Sequence, residues 1–279
     1  MNWNTLIATS LVCATVALPA NATTLKSALD SKAPPYAMPK FDGSVEGLTV
    51  DMTAAIADVI GQEITVDAMS FSALIPALQA GTYDMLSVPF TATQPRSESF
   101  LLTEGIWSAD LIFLVSSRAD QVSDYDQLKG KVIATNKGNS YDKWARENAD
   151  KYGWKVESYG SLSDAAQAVQ VGRADAALVD VATGLTIQKK NPVLKVTELK
   201  VETGNYYSYA VPLSNPELRR TLDTAIECIK ANGTAAELYK KWLGVEPAAG
   251  SLEVTPQPGY GAVGFSNYEN VEHELACAK

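Results

Sequence analysis

Hydrophobic positions in this 279-residue chain follow two periods in turn, one of about 3.6 residues and one of 2. An apolar run from Leu6 to Leu18 is followed by Pro19 and by Ala20-Asn21-Ala22, so residues 1–22 read as a cleavable secretory signal. Its first residues carry no Lys or Arg, and Cys13, behind the bulky Val12, is expected to leave with the signal rather than anchor a lipid. Further on, Met52, Ala55, Ile56 and Val59 share a helical face that Gly61 ends. ITVDAM reads as a strand, Ser70 or Ser72 as the cap of a helix closing at Gly81, and Pro76 fits only near that helix's first turn. DMLSVPF predicts a strand, and TATQPR (91–96) the turn at its end.

A second unit starts after LIFLVS (111–116), with a polar connection and a helix before the β-rich KGKVIAT. Gly138-Asn139-Ser140 opens a helix over YDKWARENADKYG, and WKVESY resumes as a strand. Ser161 or Ser163 caps the next helix, with Ala165, Ala166 and Val169 on one face, and ADAALVD is a buried strand ending in Asp180. The unit closes near YYSYAV. Leu218, Leu222, Ala225, Ile226 and Ile229 form one stripe of a helix entered at Pro216, and AAELYKKWLG is a shorter helix. Residues 246–279, rich in Pro, Gly and Tyr, form an irregular tail, and there is no internal repeat. The alternation predicts α/β layers with largely parallel strands.

Composition narrows the function. A net charge of -9 argues against nucleic acid, whose phosphates require a basic face. After the signal no apolar run approaches the ~18 residues of a membrane span, so a soluble mature chain is expected. Cys228 and Cys277 then remain, an even count in an oxidising compartment, which suits a disulfide tying the tail to a helix; the alternative is two buried thiols. The only histidine, His273, lies near the end of the tail. Histidine-based catalysis is therefore disfavoured, and neither a metal nor another cofactor is expected.

Seven segments carry a resemblance: APPY (33–36), GLTVDMTAAIA (47–57), SFSALIPALQAGTYD (70–84), TATQPR (91–96), KGNS (137–140), GRADAALVD (172–180) and NPELRRTLDTAI (215–226). In this order the chain resembles the periplasmic amino-acid-binding proteins of ABC importers, the family 3 bacterial extracellular solute-binding proteins, over roughly residues 28–245. The resemblance implies an α/β, two-lobed periplasmic-binding fold of type II, with a ligand cleft between lobes joined by two hinge strands. Lobe 1 is then 23–116 with 208–245, and lobe 2 is 117–207. It also implies a monomer that holds a small zwitterion and hands it to a membrane-embedded ABC permease.

Family roles fall on particular residues. Arg96 takes the position of the carboxylate-binding arginine, whose planar guanidinium donates two parallel hydrogen bonds, and Thr91 stands where a hydroxyl approaches the same carboxylate. Asn139 and Ser140 match the hydroxyl-bearing pair at a helix start, with Asn139 departing from the usual Ser or Thr. Asp180 matches the partner of the ligand's ammonium, or else caps the helix after it. Phe71 matches a residue packing on the ligand's side chain, and Asp30 one that contacts it; Tyr36 matches an aromatic more often structural. Ala33 replaces an aromatic lid and Val88-Pro89 a small pair, with the Pro89 carbonyl still an acceptor and Trp107 or Tyr141 as replacement aromatics. The resulting expectation is capture by hinge closure. The alternatives are a periplasmic lyase or dehydratase on the same scaffold, or a binder of an opine or compatible solute.

Overall fold

The computed structural model describes residues 24–275 and residue 277. The proposed signal, residues 1–22, lies outside the described residues. The chain begins with β1 (Leu25–Asp30), the small hairpin β2 (Met38–Pro39) and β3 (Val45–Glu46), α1 (Leu48–Ile60), β4 (Ile64–Met69) and α2 (Phe71–Gln79). There follow β5 (Met85–Thr91), α3 (Gln94–Ser99), β6 (Phe100–Leu102) and β7 (Trp107–Ser108). The middle holds β8 (Leu111–Ser116), a 3-10 turn (Tyr125–Leu128), β9 (Val132–Asn136), α4 (Ser140–Glu147), α5 (Ala149–Tyr152) and β10 (Lys155–Tyr159). Next are α6 (Leu162–Gln170), β11 (Ala176–Asp180), α7 (Val181–Lys190) and β12 (Leu194–Val201). The chain returns through β13 (Tyr206–Pro212), α8 (Pro216–Ala231) and α9 (Thr234–Leu243).

These strands build two main sheets. One has the order β4-β1-β5-β13-β6, with β7 also on β13; the other runs β10-β9-β11-β8-β12. Along β13 the side chains alternate, Tyr207, Tyr209 and Val211 packing with α1 and α8, and Ala210 packing on the opposite face with Leu74 and Leu78 of α2. Both faces of the first sheet are therefore covered, as its apolar run demands. The second sheet has its own core, in which all five residues of β11 are buried. Among the described residues no helix is long and apolar enough to cross a membrane.

Several details differ from the sequence reading. The sheets are mixed rather than largely parallel: β13 runs antiparallel to β5, β6 and β7, and β8 antiparallel to β11 and β12. LIFLVS, read with the first unit, pairs within the second sheet. β12 was not anticipated; it follows α7 without the strict alternation of a half-buried strand. TATQPR is less a turn than a strand end followed by the short α3. Pro76 lies inside α2 rather than in its first turn, where the residue it deprives of a partner, Ser72, is exposed to water. The helix over 141–153 is broken at Asn148, whose side-chain amide donates to the Trp144 carbonyl at 2.9 Å and so satisfies an end of α4.

The tail packs on the first-sheet unit. Gln257 N donates to Glu104 Oε2 and Gly261 N to Asp223 Oδ2, each at 2.7 Å, and Cys277 is disulfide-bonded to Cys228 of α8. Under it lie two buried ion pairs, Lys230 with Glu104 at 3.0 Å and Arg219 with Asp223 at 3.5 Å.

Candidate ligand site

The carboxyl ends of β1, β5, β9 and β11 meet where the two sheet units face each other, so the residues closing these strands converge. Asp30 ends β1, Thr91 ends β5, Asn139 precedes α4 and Asp180 ends β11. Together with Phe71 and Pro89 they line one small cavity of about 20 Å³. Arg96 and Ser140 line an adjoining cavity of about 550 Å³ at the mouth of the cleft, and Thr91, Asn139 and Tyr141 border both. The eight predicted residues thus gather at one cleft, six around the inner space and two at its mouth.

Arg96 sits in the middle of α3, with its guanidinium 4.1 Å from the Phe90 ring centre and 5.5 Å from that of Phe71. It donates to the Thr91 carbonyl at 3.1 Å, and among the described residues no carboxylate lies within ion-pair distance of it. Burial between the rings lowers its pKa to about 10, still a cation at neutral pH. Thr91 Oγ1 and Ser140 Oγ share a 2.7 Å hydrogen bond across the cleft. Asn139 caps α4 through Oδ1, which accepts from Asp142 N at 2.8 Å. Its Nδ2 is buried with no hydrogen-bond partner among the described residues, a donor beside the positive end of a helix.

Asp180 performs the helix-capping role considered as its alternative, accepting from Thr183 N at 2.9 Å, yet it also faces the cavity. The same oxygen, Oδ1, accepts from the Tyr36 hydroxyl at 3.1 Å; Oδ2 receives no hydrogen bond from a described residue. Burial raises its pKa, opposed by the bonds from Thr183 and Tyr36. Asp30 accepts from Asn136 Nδ2 at 2.9 Å, and burial pushes its carboxyl up to about 6 against that bond and one from Lys32. Opposite charges, Arg96 toward the mouth and Asp180 within, suit a molecule carrying both signs. Among the described residues no group of three His, Cys, Asp or Glu is arranged to hold a metal ion.

Sequence reasoning undervalued Tyr36. Its ring stands 5.4 Å from that of Trp107 and 5.9 Å from that of Tyr207, while its hydroxyl reaches Asp180. Its backbone is fixed as well, for the Tyr36 carbonyl lies 2.1 Å from where a Cβ on Gly47 would stand, with Gly47 at φ 151°. Of the two replacement aromatics, Tyr141 lines the cavity and Trp107 backs Tyr36. Tyr207, from β13, completes the wall.

Comparison with known proteins places the chain among binding proteins of one fold. The chain is 28% identical over 215 residues to an arginine-binding periplasmic protein of Mannheimia haemolytica, covering 76% of this chain and 87% of the relative. It is 26% identical over 228 residues to an L-cystine-binding protein of Escherichia coli, covering 80% and 84%. An ancestral arginine-binding protein solved with arginine superposes with a TM-score of 0.74 at 29% identity, covering 78% of this chain and 97% of that one, and an ancestral arginine-binding protein bound to glutamine superposes equally well at 28% identity. These neighbours share the two-lobed α/β fold. The profile of the bacterial extracellular solute-binding proteins, family 3, matches residues 25–245, and the chain belongs to that family.

Proposed function

We propose that this protein captures a free amino acid, or a closely related zwitterion, by closing its two lobes, and delivers it to a membrane-embedded ABC permease. The observation that carries the reading is the Arg96 guanidinium, which has no carboxylate partner among the described residues and lines the same cavity as Asn139, whose Nδ2 is unpaired. A ligand carboxylate satisfies both, accepting from Arg96, Thr91, Ser140 and the start of α4. Asp180 Oδ2 takes the ammonium, the Pro89 carbonyl a second proton of it, and Phe71 and Asp30 meet the side chain. The chemistry is binding without turnover, with neither metal nor organic cofactor.

We assign the first sheet with its helices and tail to one lobe and β8 to β12 with theirs to the other, so the hinge segments are 108–111 and 201–206. Export by residues 1–22, action in the periplasm and a monomeric state complete the reading. Relatives named for arginine and cystine support the ligand class. A calorimetric panel of L-arginine, L-glutamine, L-histidine and L-cystine, each also assayed for conversion, tests it. Saturable binding without conversion is the expected result; conversion of a bound compound rejects it.

A further inference from the structure

The family match ends at residue 245, yet the tail beyond it reaches the helix that carries Arg96. Ser266 N donates to Ser97 Oγ at 3.1 Å, Asn267 Nδ2 to the Ser97 carbonyl at 2.6 Å, and Gln94 Nε2 to Ser266 Oγ at 2.8 Å. Ser97 is wholly buried and adjacent to Arg96 in the chain. With six residues and no side-chain cap, α3 is far too short to hold its own direction, so its partners set it.

The tail residue making the bond is itself fixed. Asn267 is held in a left-handed conformation, φ 63°, and its carbonyl accepts from Arg219 Nη1 at 3.1 Å. Arg219 is buried in α8, paired with Asp223 and with Glu269 of the tail. On the near side Phe265 packs edge-on against Tyr206, whose hydroxyl donates to the Val263 carbonyl at 2.7 Å. Beyond it, Cys277 is tied to Cys228, also in α8. A continuous path of bonds therefore runs from α8 through the tail to α3.

We propose that Ser266 and Asn267 are positioning residues for Arg96: by fixing Ser97 they set where the guanidinium meets the ligand's carboxylate, so the tail outside the family match tunes affinity. The inference rests on the reading of Arg96 as the carboxylate-binding residue. It makes the disulfide, by anchoring the far end of the tail, a determinant of binding as well as of stability.

The test is Asn267→Gly, because glycine takes the left-handed conformation without strain and only the side-chain amide is lost. The Arg96 Nε–Hε resonance, assigned by its disappearance in Arg96→Ala, and L-arginine binding by calorimetry are both compared with wild type. A shifted or broadened resonance with affinity weakened about three- to tenfold is expected from loss of one aligning hydrogen bond. Asn267→Asp, which sets a carboxylate against the Ser97 carbonyl, weakens binding at least as far. An Asn267→Gly protein with a lowered melting temperature but an unchanged resonance and unchanged affinity has a strap and nothing more, and overturns the inference. The resonance is read without ligand and decides alone if L-arginine does not bind. If Arg96→Ala binds L-arginine as tightly as wild type, the reading of Arg96 itself fails, a separate result.

Discussion

The Tyr36 hydroxyl and the Thr183 amide both donate to one oxygen of Asp180, and the proposed function gives the other to the ligand's ammonium. Tyr36→Phe keeps the ring between Trp107 and Tyr207 but removes one of the donors that, with Thr183, lower the Asp180 pKa. Other groups that face or influence Asp180 are Tyr207 of β13 and Tyr141 of α4, with Asp30 and Arg96 nearby, and none of these changes in the variant. The folded Asp180 pKa therefore rises further, and ligand affinity is lost at a higher pH on acidification than in wild type, while the melting temperature changes little. Calorimetry across pH 4 to 8 checks this; superimposable acid limbs contradict it. The residues that line the cleft were mostly legible one by one, because Thr91, Asn139, Ser140 and Asp180 sit at strand ends and helix starts that short motifs mark, with Arg96 closing one such motif. Tyr36 was not, since its partner lies 144 positions away and nothing near it in sequence signals the hydroxyl's target.

Gly47 shows how an element places such a residue. It precedes α1 at φ 151°, where the Leu48 and Thr49 amides donate to the Pro35 and Tyr36 carbonyls, each at 3.0 Å. Gly47→Ala sets a methyl group 2.1 Å from the Tyr36 carbonyl oxygen, so either α1 or Tyr36 must move. The expected result is lower stability by about 1–3 kcal/mol, read by denaturant unfolding, together with weaker ligand binding. Among the elements, α1, α6 and α8 were readable from their apolar stripes and end signals. The assignment of β8 to the second sheet was not, because pairing with β11 and β12 is long-range and a short apolar run looks the same in either sheet. β12 escaped for the related reason that its burial is irregular, with a register shift between Val196 and Lys200.

At the scale of the whole molecule, the tail and the lobe beneath it share one buried charge cluster. Lys230→Met removes the cation that opposes the rise of the Glu104 pKa, so the carboxyl takes a proton at neutral pH and the lost hydrogen bonds are expected to cost about 1–3 kcal/mol, read by denaturant unfolding. Replacing Cys228 and Cys277 together by alanine removes a constraint between positions 49 apart and is expected to cost about 2–4 kcal/mol. Buried carboxyls also set the pH dependence. Burial raises Asp30 from 3.8 to about 6 and Glu104 from 4.5 to about 7, the latter against the opposing pull of Lys230. The folded state then holds protons the unfolded chain releases. The stability contributed by the protonated forms is complete below the unfolded values and lost as pH rises through about 6 and about 7. Melting temperature should fall between pH 4 and 8, and Asp30→Asn should flatten the lower half of that fall. The disulfide was anticipated from the even cysteine count, whereas the bonds from the tail to α3 had no pattern to announce them.

The central claim is that Arg96 holds the carboxylate of a zwitterion whose ammonium meets Asp180. It is tested most directly by calorimetric titration of wild type and Arg96→Ala with the same L-amino acid panel at pH 7. The account predicts that a panel member binding wild type binds the variant at least about tenfold more weakly, because the carboxylate loses its charged donor. Equal affinity in the two proteins contradicts it.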